Sequence, residues 1–285
     1  MVAGFFDGIY QVDAQSAGEP VKFPIFYRDA RSFTAVFAAN WFKLRRMLPD
    51  WRYFPAQAAP GVGAVAFTAF EYYDTDIRPY NEFSISIILN SPWLAPIPGY
   101  NLLRQYFLHS FEAYIYHLPV TTEVALRGGI DFYNYPKFLA GIDFTDTADE
   151  VTCELTQGGQ LICRLISSKI PATRSYEARF FCRLWQDRQP QGAEFKVNVR
   201  EGADRWLPST VRLELGDHPI ARNFRSVLLS NRPLLHLYWP SIQCCLYGPE
   251  RLSMPLAYYA LKQTGLVGEP ESGPKPTAVK EHSNW

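Results

Sequence analysis

The chain has no excess of charge of either sign. Its 285 residues carry 28 Lys and Arg against 28 Asp and Glu. With that balance nothing points to nucleic acid or an anionic membrane surface as a partner. No apolar run approaches the roughly 18 to 20 residues of a membrane span. The opening "MVAGFFDGIYQVDAQ" is too short and too interrupted for a secretory leader. Histidine is sparse, at 109, 117, 218, 236 and 282, and none stands at the i, i+4 spacing of a helical metal site, so no metal is expected. The five cysteines are odd in number and have no metal spacing, which fits reduced thiols in a cytoplasmic protein. A glycine-rich phosphate loop, a dinucleotide fingerprint, HExxH and GxSxG are all missing, and no cofactor is expected.

What is present in quantity is aromatic side chain, at 15%, and proline, at 22 residues. Together they suggest a strand-rich fold with many punctuated turns and an aromatic-lined cavity. "RSFTAVFAA" reads as a strand with Phe33, Ala35 and Phe37 on one face, and Asn40 caps a short helix that Pro49 stops. "GAVAFTAFEYY" and "EFSISIILN" are strands joined by the turn-rich "DTDIRPYN". In "NLLRQYFLHSFEAYIYHL", Leu103, Phe107 and Phe111 have helical spacing, so a helix passing into a strand near Ala113 is expected. "EVTCELTQGGQLICRLIS" is a hairpin turning at Gly158 and Gly159. "EFKVNVREGADRWLPSTVRLEL" is a second hairpin candidate. Asp217 or His218 caps a helix with Pro219 at its first position. The expected fold is α+β, mainly antiparallel, one domain to about residue 268 curled into a closed barrel or cone with a few short helices. A small polar arm occupies about residues 1–20, and residues 269–285 lose apolar periodicity and read as a disordered tail.

One lysine stands out. In "GIDFYNYPKFLAG", Lys137 sits among Tyr, Phe, Leu, Ile and Pro. It either snorkels its charge to water or is held neutral as a nucleophile. Two glutamates are also oddly placed for strands. Glu71 shares a face with Phe67 and Ala69, and Glu82 shares one with Ser84 and Ser86, opposite Phe83, Ile85 and Ile87. Each alone reads equally well as an exposed strand end. If the two strands pair, however, the glutamates near the turn can approach each other. An amine and two carboxylates in an apolar cavity suffice for Schiff-base chemistry.

In this respect the sequence resembles the acetoacetate decarboxylase superfamily, from about Lys22 to Leu252. The resemblance is carried, in order, by "FKLRRMLP", "FEYYDTDIRPYNE", "GGIDFYNYPKFLAG" and "VRLELGDHPIA". It implies a cone-like antiparallel barrel, a homo-oligomer, and a small oxo-acid substrate handled through an imine on Lys137. It also implies that Glu82 and Glu71 are the proton-transfer groups and that Arg31, or Arg28 a little earlier, receives the substrate carboxylate. Two departures are visible. The connection between Glu71 and Glu82 is short, and Phe138 stands where the decarboxylases carry a second lysine. Without that neighbouring cation, neutral Lys137 must come from desolvation, for which Phe138, Tyr135 and Leu139 are the local candidates. The expected reaction is therefore decarboxylation of a β-keto acid or aldol condensation with dehydration on a larger oxo acid. Acetoacetate turnover should be slow. A barrel that only binds a hydrophobic carboxylate is the alternative from another class.

Overall fold

The computed structural model describes residues 4–16, 19–50, 52–91, 94–186 and 189–249; the tail expected to be disordered lies outside them. The stretch expected as an arm contains an antiparallel ribbon, β1 (Val12–Ser16) with β2 (Glu19–Phe23). β3 (Ile25–Asn40) buries Phe33, Ala35 and Phe37 on one face, as the alternation demands. Helix α1 (Trp41–Met47) starts where the Asn40 side chain accepts a hydrogen bond from the Lys43 amide at 3.0 Å. β4 (Gln57–Ala59), β5 (Val62–Thr75) and β6 (Tyr80–Ile88) follow. Then come α2 (Tyr100–Phe107), β7 (Ser110–His117) and α3 (Glu123–Tyr133). β8 (Gly141–Asp146), β9 (Glu150–Gln157) and β10 (Gln160–Ser168) form a meander whose tight turn is Gly158-Gly159, both at positive φ. β11 (Arg174–Gln186), β12 (Gln189–Trp206), β13 (Arg212–Leu215), α4 (Pro219–Val227) and β14 (Leu228–Leu246) complete the order.

Seven strands close on themselves in the order β3-β14-β12-β11-β7-β6-β5, with β5 pairing back to β3 and β4 added at the edge of β5. All these pairs are antiparallel except β7 with β11. Closure leaves no long unpaired edge. A second sheet, β13-β10-β9-β8, packs with α4 on the outer face of β3, β5 and β6. Aromatic contacts at that junction include Phe37 on Phe67 and Phe67 on Phe224, each at 5.6 Å between ring centres.

One sequence expectation needs correcting, and two features of the helices were not anticipated. β12 and β13 are not a hairpin: β12 is a barrel strand between β11 and β14, and β13 belongs to the small sheet beside β10. The chain leaves the barrel through Leu207, at φ 47°. Leu103 and Phe107 mark the exposed face of α2, whereas its buried residues are Asn101 and Gln105. These amides satisfy backbone groups, with Asn101 donating to Ala95 O and Gln105 to Leu89 O, each at 2.8 Å. Helix α3 had no counterpart in the sequence reading; its paired glycines are unfavourable in a helix interior. Thr122 caps its start, and Asn134, at φ 54°, ends it in the left-handed conformation.

Where barrel and small sheet meet, His236 is fully buried with Nε2 2.6 Å from Ser167 Oγ. Burial, with Arg205 adding to it, pushes its pKa down to about 4. His117 is likewise held at about 4 by burial, with His218 adding to it. Both imidazoles fold neutral and charge more readily when unfolded. Stability is therefore full above the unfolded value of about 6.5 and falls as pH drops toward about 4. His236→Gln should flatten this dependence, roughly halving the number of protons taken up on unfolding at pH 5. Urea midpoints measured from pH 4 to 7 check it.

Candidate functional site

The barrel encloses a cavity of about 410 Å3, to which all seven closing strands contribute side chains. The pairing of β5 with β6 sets Phe70 opposite Glu82, Thr68 opposite Ser84 and Ala66 opposite Ser86. These even-numbered residues face the lumen, and their odd-numbered neighbours face the small sheet.

Lys137 reaches the same cavity from the segment after α3. Asn134 N and Tyr135 N donate to Ile130 O and Gly129 O, each at 3.0 Å, so the chain turns sharply off the helix. Leu118 N donates to Pro136 O at 3.1 Å and Val120 N to Phe138 O at 3.0 Å, pinning the loop beside the end of β7. The lysine stem lies on Gly129: a Cβ there would fall 2.4 Å from Lys137 Cδ and Cε. The spacing Gly129-x5-Tyr135-Pro136-Lys137 thus has a steric cause, because only glycine leaves room for the stem.

At the cavity wall Lys137 Nζ donates to Glu82 Oε2 at 2.8 Å, with the two side chains 6% and 10% exposed. Tyr80 and Tyr135 place their rings 5.8 and 5.9 Å from Nζ, within cation–π range. Tyr72 OH donates to Glu82 Oε1 at 3.4 Å, and the Tyr27 and Tyr80 hydroxyls lie 3.3 Å apart. Burial, and next the charge of Glu82, hold Tyr27, Tyr72 and Tyr80 well above the ordinary tyrosine range; burial first does the same for Tyr135. These phenols therefore stay protonated and serve as hydrogen-bond donors. Apolar neighbours with satisfied polar groups can hold such a pair in place.

Of the site residues expected from sequence, the structure brings Lys137, Glu82 and Tyr135 together and places the others elsewhere. Glu71 lies on the outward face of β5, so its expected place beside Lys137 is corrected. It accepts hydrogen bonds from Arg31 Nε at 2.6 Å and Tyr73 OH at 2.8 Å. Arg31 is its direct neighbour across β3 and β5, and also binds both oxygens of Asp146, at 2.9 and 2.6 Å. Arg28 pairs with Asp76 at 2.6 Å. Neither arginine lines the cavity, because both point to the wrong side of the barrel wall. Phe138 is also outside it, packed against His117 at 6.2 Å in the outer core, and Leu139 is 45% exposed. Neighbours along an extended chain face opposite ways, so water is kept from Lys137 by Tyr135 and by tyrosines distant in sequence. The sequence signal for Tyr80 is its place two residues before Glu82 on the same strand, whereas the position of Tyr72 on β5 depends on cross-strand register.

The hydrogen bonds from Arg31, and then those from Lys169, hold the Asp146 carboxyl down at about 2. This network ties β8 of the small sheet to β3 and β5. Arg31→Ala should cost about 1 kcal/mol of stability while leaving carbonyl capture within about twofold. The stability cost should vanish as pH falls from about 4 toward 2 and Asp146 is protonated. Thermal melts at pH 7 and pH 2, with an adduct assay at pH 7, test both halves.

Fold and geometry together define a closed barrel with a buried amine–carboxylate pair on the wall of an apolar lumen. The chain belongs to the acetoacetate decarboxylase (ADC) family, whose model matches residues 13–229. The fold is shared with the acetoacetate decarboxylase of Legionella pneumophila, at 13% identity and TM-score 0.55 over 79% of this chain and 86% of that one. It is also shared with the enduracididine biosynthesis enzyme MppR complexed with pyruvate, at 14% and 0.54 over 79% and 89%. A third is an acetoacetate decarboxylase-like enzyme from Sphingomonas wittichii, at 16% and 0.52 over 83% and 96%. No curated protein matches the chain significantly in sequence. Among the described residues no cluster of His, Cys, Asp and Glu could hold a metal, and no helix is long and apolar enough to cross a membrane.

Proposed function

We propose that the protein is an imine-forming lyase that captures a carbonyl compound on Lys137. The observation that carries this reading is the Lys137 Nζ–Glu82 Oε2 contact of 2.8 Å in a cavity otherwise walled mainly by apolar and aromatic side chains. Glu82 takes a proton from the ammonium, and neutral Nζ attacks the carbonyl carbon. Glu82 then returns the proton to the carbinolamine hydroxyl, which leaves as water. The protonated imine has the charge the ammonium had, and the Glu82 carboxylate regenerated as water leaves is its counter-ion. That cation is an electron sink for either a departing carboxylate or an α-proton. The reading is supported by neighbours of the same fold: an acetoacetate decarboxylase, and MppR complexed with pyruvate and with the condensation product of pyruvate and imidazole 4-carboxaldehyde. Oligomerisation, expected from the resemblance, is part of the proposal and is supported by exposed apolar side chains such as Phe107 and Leu229. A cytoplasmic setting is supported by five unpaired cysteines.

The test is borohydride reduction with a panel of oxo acids and ketones, read by intact mass and peptide mapping. A stable adduct on Lys137 is expected in the wild type and none in Lys137→Arg. An adduct mapped to another residue, or none with any compound, overturns the reading. Carbon dioxide release in the absence of borohydride, from those oxo acids that can be trapped, separates decarboxylation from condensation.

A further inference from the structure

Resting on that imine reading, the charge inventory of the lumen narrows the substrate. Among the described residues the lining holds three charged side chains: Lys137, Glu82 and Glu112. The amine is matched by Glu82. Glu112 is matched from outside the lining by Arg183, at 2.8 and 3.3 Å. Arg28 and Arg31 are committed to carboxylates on the far side of the wall. A carboxylate-bearing substrate would thus enter a space with no unmatched cation and would face Glu82 at its reacting end. Desolvating an anion there has no compensation.

Everything else about the lumen favours an uncharged molecule. Some of its wall polar groups are spent on one another, as in the 2.9 Å bond between the Thr34 and Thr68 hydroxyls. Val36, Ile88, Phe180, Leu237 and Trp239 supply apolar surface. A volume of about 410 Å3 lies in the range of roughly 300–1,000 Å3 that holds drug-sized ligands, far more than a four-carbon acid needs. The apolar character reaches the surface, since Leu103, Trp206 and Leu207 line the cavity and are 45%, 44% and 73% exposed.

We propose that the compound captured on Lys137 is an uncharged ketone or aldehyde with a hydrocarbon or aromatic arm that fills the lumen. The bookkeeping of the step agrees. Lys137 ammonium, Glu82 carboxylate and a neutral carbonyl compound become a protonated imine, Glu82 carboxylate and water, with net charge unchanged. The C–N bond forms as the carbonyl π pair moves to oxygen, and that oxygen leaves as water. A neutral donor has no carboxylate to expel. What remains is loss of an α-proton to give the enamine and formation or cleavage of a carbon–carbon bond.

The experiment uses the full chain and two matched pairs in which a terminal methyl is replaced by a carboxylate. These are 2-pentanone against 4-oxopentanoate, and 2-decanone against 9-oxodecanoate. Half-saturation is read from borohydride-trapped adduct by mass, and occupancy without borohydride from tryptophan fluorescence. The ketones should saturate at least tenfold lower than their matched acids. Within a ketone series, affinity should tighten about three- to fourfold per added methylene until the lumen is full. In deuterium oxide the ketone should exchange its α-protons in the wild type and not in Lys137→Arg. Equal or better trapping of the acids overturns this proposal and leaves the imine reading standing. Fluorescence that reports ketone occupancy with no adduct from either series overturns the imine reading instead, and with it capture on Lys137.

Discussion

Lys137→Ala should abolish the reducible adduct and also destabilise the protein by about 3 kcal/mol. The second effect follows from the partner left behind. Glu82 is a buried carboxylate whose ammonium stands 2.8 Å away, with Tyr72 as a long second contact. Removing the lysine leaves that charge unmatched among tyrosine rings. Removing both charges should therefore be milder than removing one: Lys137→Met with Glu82→Gln should recover most of the loss, because it leaves no charge to strand. Neither variant should form an adduct. Urea midpoints for the wild type, Lys137→Met, Glu82→Gln and the double variant measure the coupling. A Lys137→Ala protein as stable as the wild type would mean the carboxylate is hydrated from the cavity and the pair contributes little.

The second large effect concerns two adjacent glycines with opposite fates. Gly128→Ala meets nothing within 4 Å, and should stabilise α3 by about 0.8–1.0 kcal/mol through helix propensity alone. Gly129→Ala would set its Cβ 2.4 Å from Lys137 Cδ and Cε and 3.1 Å from Nζ. Helix backbone holds that Cβ in place, so the flexible lysine stem must give way and carry Nζ from Glu82. Displacements near 1 Å at a reacting atom cost on the order of 100-fold. The expected result is a slowing of adduct formation of that size in Gly129→Ala and none in Gly128→Ala, with both proteins folded by circular dichroism. Equal rates in the two variants would show that the stem has a second rotamer able to reach the carbonyl.

How much of this was legible in the sequence is clearest at the two glutamates. Alternation along each strand was readable, and it correctly set Glu71 with Phe67 and Ala69 and Glu82 with Ser84 and Ser86. Whether the two faces coincide depends on register across the turn. A pairing one residue different would put Glu71 directly opposite Glu82; the observed pairing sets Phe70 there and sends Glu71 to Arg31. Strand period is exactly two, so one residue of slip exchanges the faces, and no local signal reports it.

The sequence by itself determined the strand-rich class, the Asn40 cap, a helix start at Asp217 or His218, the Gly158-Gly159 turn and the isolation of one lysine in apolar company. Each is set by neighbours a few residues away, through backbone torsion, capping or period. Barrel closure decided the rest. Tyr27, Tyr72 and Tyr80 stand 110, 65 and 57 residues before Lys137 and come together only because β3, β5 and β6 adjoin in the closed sheet. Closure likewise turned Phe138 and the two arginines away from the lumen and left Lys137 with Glu82. Which side of a wall a side chain faces depends on register and on how the sheet curls, and both are fixed by contacts between residues far apart in the chain.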